Sequence, residues 1–147
     1  MEEAKKGNIT PEMEKICEKE RISTKEIITK VAEGKIVIPK NINRNTEACG
    51  IGEGLSTKIN ANIGSSSKIE NIKLETHKAK LCMEYGADAL MDLSTGPDLE
   101  LFRKQIMETV NIPIGTVPIY EAGVITLNKG NEIIDMEEDD IFKTIEK

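Results

Sequence analysis

Tryptophan is absent from the 147 residues, and the aromatic set stops at two Tyr and two Phe. That leaves little from which to build a base-stacking surface. Excess positive charge is missing too. The formal net charge is -6, so nothing favours an electrostatic grip on nucleic acid or on an anionic membrane. No apolar run approaches the roughly 20 residues of a membrane span. The opening MEEAKKGNITPEMEK lacks the apolar stretch of a secretory signal. A cytoplasmic protein is the expectation, with no nucleic-acid and no membrane partner. Cysteine is sparse: Cys17, Cys49 and Cys82 lie 32 and 33 residues apart (49−17 and 82−49), with no Cys-x-x-Cys pair. A zinc ribbon or a locally bound iron–sulfur cluster is therefore not encoded in this stretch. Cys17 and Cys82 fall inside helical patterns and suit small apolar packing. Cys49 falls in a loop pattern and is the thiol to test for reactivity.

What is present is 38% hydrophobic and 31% charged, a balance that suits a globular fold. Two short helices come first. Thr10-Pro11 is a cap followed by proline at the first helical position. Ser23 with Glu26 has capping-box spacing, and Gly34 stops the second helix. A DNA-binding helix pair is disfavoured, because the second helix, TKEIITKVAEG, offers two lysines and no arginine in an acidic chain. Residues 36–39 read as a short strand and 40–56 as a loop rich in Asn, Gly and Thr. A regular alternation follows. Strands are expected over 57–63, 87–93 and 112–117, the last interrupted by Pro113. Helices are expected from Ser66 or Ser67 to about Tyr85, from Asp98 to about Val110, and from about Glu137 onward after a long excursion through Gly123 and Gly130.

Strand–helix alternation of this kind belongs to βαβ units with a parallel sheet. The expected class is α/β. Residues 1–56 form a small N-terminal region, and 57–147 supply three βα units. Two architectures use this alternation, the doubly wound open sheet and the closed (β/α)₈ barrel, and the barrel takes eight such units and typically about 250 residues. The chain stops within a helical pattern, IFKTIEK, without a capping glycine, which reads as a chain cut short.

Three stretches stand out: GIGEGLSTKINANIGSS (50–66), MDLSTG (91–96) and GTVPIYEA (115–122). Together with EGKIVIPKNIN (33–43) and the opening AKKGNITPEMEKICEKE, they resemble, in one collinear order, the N-terminal part of the phosphomethylpyrimidine synthase family of thiamine biosynthesis. The resemblance implies a radical lyase that converts aminoimidazole ribotide to hydroxymethylpyrimidine phosphate. It implies S-adenosylmethionine and a [4Fe–4S] cluster as cofactors, plus a zinc or iron site. The implied fold is a (β/α)₈ barrel behind a small N-terminal domain, with a cluster-binding C-terminal tail, in a homodimer.

The same resemblance carries three substrate contacts onto this sequence: Asn62, Met91 and Tyr120. Each falls at or just past the carboxyl end of an expected strand, the face where barrel active sites are built. Their spacing is even, since 91−62 and 120−91 both give 29. Asn62 offers an amide donor and acceptor, Met91 a soft apolar wall, and Tyr120 a ring face with a hydroxyl. Taken singly, an Asn there is commonly a turn former, a Met in a strand is core, and a Tyr beside Pro118 packs a loop.

Other groups are more ambiguous. The run Gly64-Ser65-Ser66-Ser67 reads as a helix cap or as a cradle of amides for a phosphate. Ser94-Thr95-Gly96 has the same two readings. Asp92 and Glu121 lie near the expected active face and could orient polar groups. His77, the single histidine, falls on a solvated helix position and is no metal ligand of that family. The chain departs from the family pattern at Arg44, where His is expected, at Ala48, where Pro is expected, and at Pro97, where Gly is expected. A guanidinium cannot serve as a neutral ligand. The later barrel strands and the three-cysteine cluster motif are also missing from this stretch. No metal site is expected here, and a chain of this length is expected to be inactive alone. Two readings follow: a fragment of the synthase, completed by the remaining barrel and cluster-binding segment as a separate chain, or a stand-alone nucleotide-binding or assembly module of α/β type.

Overall fold

The computed structural model describes residues 1–66, 71–96 and 98–146. The elements run α1 (Glu2–Lys5), α2 (Pro11–Glu20), α3 (Thr24–Ala32), β1 (Ile36–Val37), β2 (Ile51–Gly52), β3 (Asn60–Ile63), α4 (Ile72–Glu84), β4 (Ala89–Asp92), α5 (Leu99–Thr109), β5 (Ile114–Thr116), α6 (Pro118–Asn128), a 3₁₀ turn (Ile133–Asp135) and α7 (Glu138–Glu146). They divide into two compact units. One holds Met1–Ile59 with Asn111–Pro113, and the other holds Asn60–Val110 with Ile114–Lys147.

The first unit is a helical cluster with a two-stranded antiparallel ribbon, β1 with β2. Thr10 caps α2 by accepting from the Met13 N–H, with Pro11 at the first helical position. Ser23 Oγ accepts from the Glu26 N–H, while the Glu26 carboxylate turns to Lys30 at 2.8 Å. Helical spacing places Met13 and Ile16 of α2, and Ile27 and Val31 of α3, on facing stripes. With Ala4, Ile36 and Ala48 they form the core. Each fully buried aliphatic contributes about 1.5–3 kcal/mol. Sequence patterning did not anticipate α1 or β2. The stretch expected as loop pairs back onto β1, with Val37 opposite Ile51.

Glu20 and Lys58 form an ion pair at 2.8 Å, with their side chains only 5% and 9% exposed. Burial pushes the Glu20 pKa up, but Lys58 and the Ser56 N–H and hydroxyl outweigh it and bring it down to about 2. The folded value lies below the ordinary 4.5. Stabilisation is thus complete above that value and is lost as pH falls through the folded one. Glu12, bonded to Lys40 at 2.9 Å, is also held at about 2. Unfolding of this unit should therefore become easier between about pH 5 and pH 2. Glu20→Gln should cost about 2 kcal/mol at neutral pH and flatten that slope, as judged by urea titrations at pH 6 and pH 3. An undiminished slope in the variant would remove the pair from the explanation.

The second unit holds three parallel strands in the order β3-β4-β5, as expected for consecutive βαβ units. The strands are shorter than sequence patterning suggests. The first begins at Asn60, and the third covers 114–116, starting just after Pro113, which cannot donate to a ladder. Ile63, Leu90 and Asp92 are buried, with α4 packed on β3, β4 and α5. Phe102 and Ile106 bring the apolar stripe of α5 into the same layer.

Two helix assignments need correction. Asn71 caps α4 through its side chain, accepting from the Leu74 N–H, so the helix opens there and not at Ser66. Ser67 and Pro97 lie outside the described residues. The expected excursion through Gly123 is in fact helix α6, with Pro118 at its first position and Gly123 buried in mid-helix.

Candidate functional site

Asn62 and Met91 are register partners on β3 and β4, and Met91 pairs in turn with Gly115 on β5. Register partners on parallel strands project to the same side. Ile63, Leu90 and Asp92 take the helix-covered side, so Asn62 and Met91 take the other. Asn62 is exposed and Met91 half-buried. A Cβ at Gly115 would lie 3.1 Å from Met91 Cε and 3.2 Å from Sδ, so the thioether lies across the glycine. The row Asn62–Met91–Gly115 is thus an amide, a polarizable apolar wall and a glycine whose missing side chain leaves room for that wall.

Tyr120 stands four residues past the end of β5, in the first turn of α6, and is 46% exposed. With Thr95, from the loop after β4, it lines an apolar cavity of about 730 Å³. Ile119, Val124, Leu127 and Met136 supply other walls. The fold brings Asn62 and Met91 directly together and sets Tyr120 beside the loop that leaves β4.

The loop amides are already occupied. Gly64 N–H donates to Glu75 Oε2 at 3.0 Å, and Ser65 N–H donates to Ser94 Oγ at 3.0 Å. Ser94 N–H donates to Asp92 Oδ1 at 2.9 Å, and Thr95 N–H to the Ser65 carbonyl at 2.9 Å. These serines therefore tie the β3 and β4 loops together, and a phosphate cradle at Gly64 and Ser65 is not available. Asp92 and Glu121 are buried and share Arg103, whose guanidinium lies 2.7 Å from Glu121 Oε2 and 4.0 Å from Asp92 Oδ2. Sequence patterning missed Arg103 and Glu75. The signal is there in α5, where Arg103 sits at helical spacing with Leu99, Phe102 and Ile106, a charge on a buried stripe. Such a charge needs a carboxylate partner.

Cys17 is on α2, Cys49 follows β1, and Cys82 is on α4. No three His, Cys, Asp or Glu side chains converge as a metal-holding group among the described residues. Cys49, the thiol singled out for a reactivity test, is buried. Burial pushes the Cys17 thiol pKa up. His77 is exposed on α4, as expected. Arg44 is half-buried, and burial lowers its pKa.

A family model described as the radical SAM ThiC family matches residues 1–147. The chain belongs to the radical SAM ThiC family. Among its relatives, phosphomethylpyrimidine synthase 2 of Methanothermobacter thermautotrophicus is 60% identical over 146 residues, covering 99% of this chain and 34% of that protein. The phosphomethylpyrimidine synthase of Methanocaldococcus jannaschii is 54% identical over 147 residues, 100% of this chain and 34% of its own length. That of Pyrococcus furiosus is 49% identical over 148 residues with the same coverage. The chain spans about a third of the length of the curated relatives it matches. No helix among the described residues is long and apolar enough to cross a membrane.

Proposed function

We propose that this chain supplies the N-terminal third of a phosphomethylpyrimidine synthase, a carbon–carbon lyase acting on aminoimidazole ribotide. Residues 1–56 are its N-terminal region, and 57–147 are the first three βα units of a (β/α)₈ barrel. Asn62, Met91 and Tyr120 are the ribotide contacts. The observation that carries the reading is the register row: Asn62 and Met91 stand side by side at the carboxyl end of a parallel sheet, on the side its helices leave open. The 60% identity across the matched length supports it. Asn62 would hydrogen-bond the heterocycle or a ribose hydroxyl, Met91 would wall one side of it, and Tyr120 would close the end.

These residues bind and orient the substrate. S-adenosylmethionine, the [4Fe–4S] cluster and a zinc or iron site are assigned to the remaining two-thirds, since this stretch has no Cys-x-x-Cys pair. The partners are then that remaining segment, as further chain or as a separate chain, and a second copy in a homodimer, in the cytoplasm.

The reading is tested by replacing the matching segment of the Methanothermobacter relative with this chain. The chimera, reconstituted anaerobically, should form hydroxymethylpyrimidine phosphate at a rate within about tenfold of the parent, a cost of about 1.4 kcal/mol. A folded, cluster-loaded chimera that makes no product overturns the proposal.

A further inference from the structure

Each proposed ribotide contact is followed closely by a group that points the other way. Asp92 follows Met91 on β4, and alternation turns it to the helix-covered side, where it is 4% exposed. Glu121 follows Tyr120 in the first turn of α6 and is 5% exposed. Ser65 lies three residues past Asn62, and its N–H donates to Ser94 Oγ. Arg103, rooted in α5, reaches Glu121 at 2.7 Å and approaches Asp92 at 4.0 Å. The polar chain therefore runs Glu121–Arg103–Asp92–Ser94–Ser65, behind all three proposed contacts.

Two buried carboxylates brought this close repel unless a cation lies between them. A guanidinium suits the task, because its flat fork can serve two acceptors along fixed directions. An ammonium is a single point charge and satisfies one end at a time. The bridge is made at Glu121. At Asp92 it stops short: the buried Arg103 Nε has no hydrogen-bond partner among the described residues. Closing that gap to a charge-assisted bond takes a shift of roughly 1 Å.

We infer that Arg103 is a positioning residue, which fixes the β4 end carrying Met91 against the α6 turn carrying Tyr120 and thereby sets the width of the ribotide site. This rests on the function proposed above for Met91 and Tyr120. Arg103 itself touches no substrate in this assignment. It acts through Asp92 and Glu121, and through Ser94, whose hydroxyl holds Ser65 on the loop that follows Asn62.

The test uses amide hydrogen exchange on the 147-residue chain, without ligand, for Arg103→Met and Arg103→Lys. Methionine keeps a stem of similar reach and loses the charge. Exchange at the Ser65, Ser94 and Thr95 amides should rise about tenfold or more in Arg103→Met, while the interior amides of α4 change less than about twofold at matched distance from melting. Arg103→Lys should fall between, and it keeps the comparison readable if the methionine variant does not fold. Unchanged exchange at those three amides in Arg103→Lys, and in any folded Arg103→Met, overturns the bridge. The link to substrate is read separately in the chimera, where Arg103→Lys should raise KM for the ribotide about five- to twentyfold with kcat within about twofold. Loosened loops with an unchanged KM overturn the positioning role. An effect on exchange that persists while the parent chimera makes no product sinks the proposed function and leaves the bridge standing.

Discussion

Gly64→Ala is expected to unfold or severely loosen the parallel unit. Gly64 has φ +149°, a region essentially closed to residues with a Cβ. A Cβ there would lie 2.8 Å from both Leu93 C and Ser94 N, backbone atoms of the neighbouring strand end. Neither can swing aside as a side-chain tip would. The substitution would also disturb the Gly64 N–H bond to the buried Glu75 carboxylate, which itself pairs with Lys78. Backbone strain and overpacking together should cost about 3–5 kcal/mol, a large part of a typical 5–15 kcal/mol stability. For a unit of this size that lowers Tm by roughly 15 °C or more. Gly123→Ala is the contrast: its Cβ would meet nothing within 4 Å, and the site is in mid-helix. It should raise stability by about 0.4–1 kcal/mol. Thermal melts of both variants check the pair. A Gly64→Ala protein within about 1 kcal/mol of the parent would show that the β3 and β4 ends are not clamped as described.

The chain by itself is expected to yield no hydroxymethylpyrimidine phosphate after anaerobic iron–sulfur reconstitution, whereas the chimera yields it. The difference is all-or-none, because it does not come from a weakened contact. The three cysteines stand on separate elements, one of them buried, and no Cys-x-x-Cys pair is among them. The relatives extend to about three times this length. Mass spectrometry of the reaction and the absorption spectrum of the reconstituted chain check it together. Product from the purified chain, or a stoichiometric [4Fe–4S] spectrum, would contradict the expectation.

The parallel order β3-β4-β5 was legible because its strands alternate with long helical patterns, and Gly86 and Asp98 punctuate them. Caps were legible where the chemistry is local, as at Thr10, Ser23 and Asp98. Where partners are distant the pattern was mute. Ile51–Gly52 pairs with Ile36–Val37 across a long loop, and two-residue strands carry no period. Serines 65 and 94 look like caps in sequence, but they bind one another across the β3 and β4 loops. Gly123 looked like a breaker and is a mid-helix residue of α6, because a single glycine costs a helix only about 1 kcal/mol. For the site, the family resemblance pointed to Asn62, Met91 and Tyr120, their even 29-residue spacing agreed with strand-end positions, and the first two are register partners. Their setting was not legible. Nothing local reveals that Met91 lies over Gly115, or that Arg103 stands between Asp92 and Glu121.

Ribotide affinity in the folded chimera, measured for the parent, Asn62→Ala and Tyr120→Ala, is the most direct test that these strand ends hold the substrate. Removing an amide that makes one or two hydrogen bonds, or a ring with its hydroxyl, should cost about 1–3 kcal/mol each. Dissociation constants should therefore rise about five- to 150-fold, with far-ultraviolet circular dichroism and melting little changed, since both side chains are exposed. Affinity equal to the parent in both variants would contradict the account, because the sheet end would then be present without being the place where the ribotide binds.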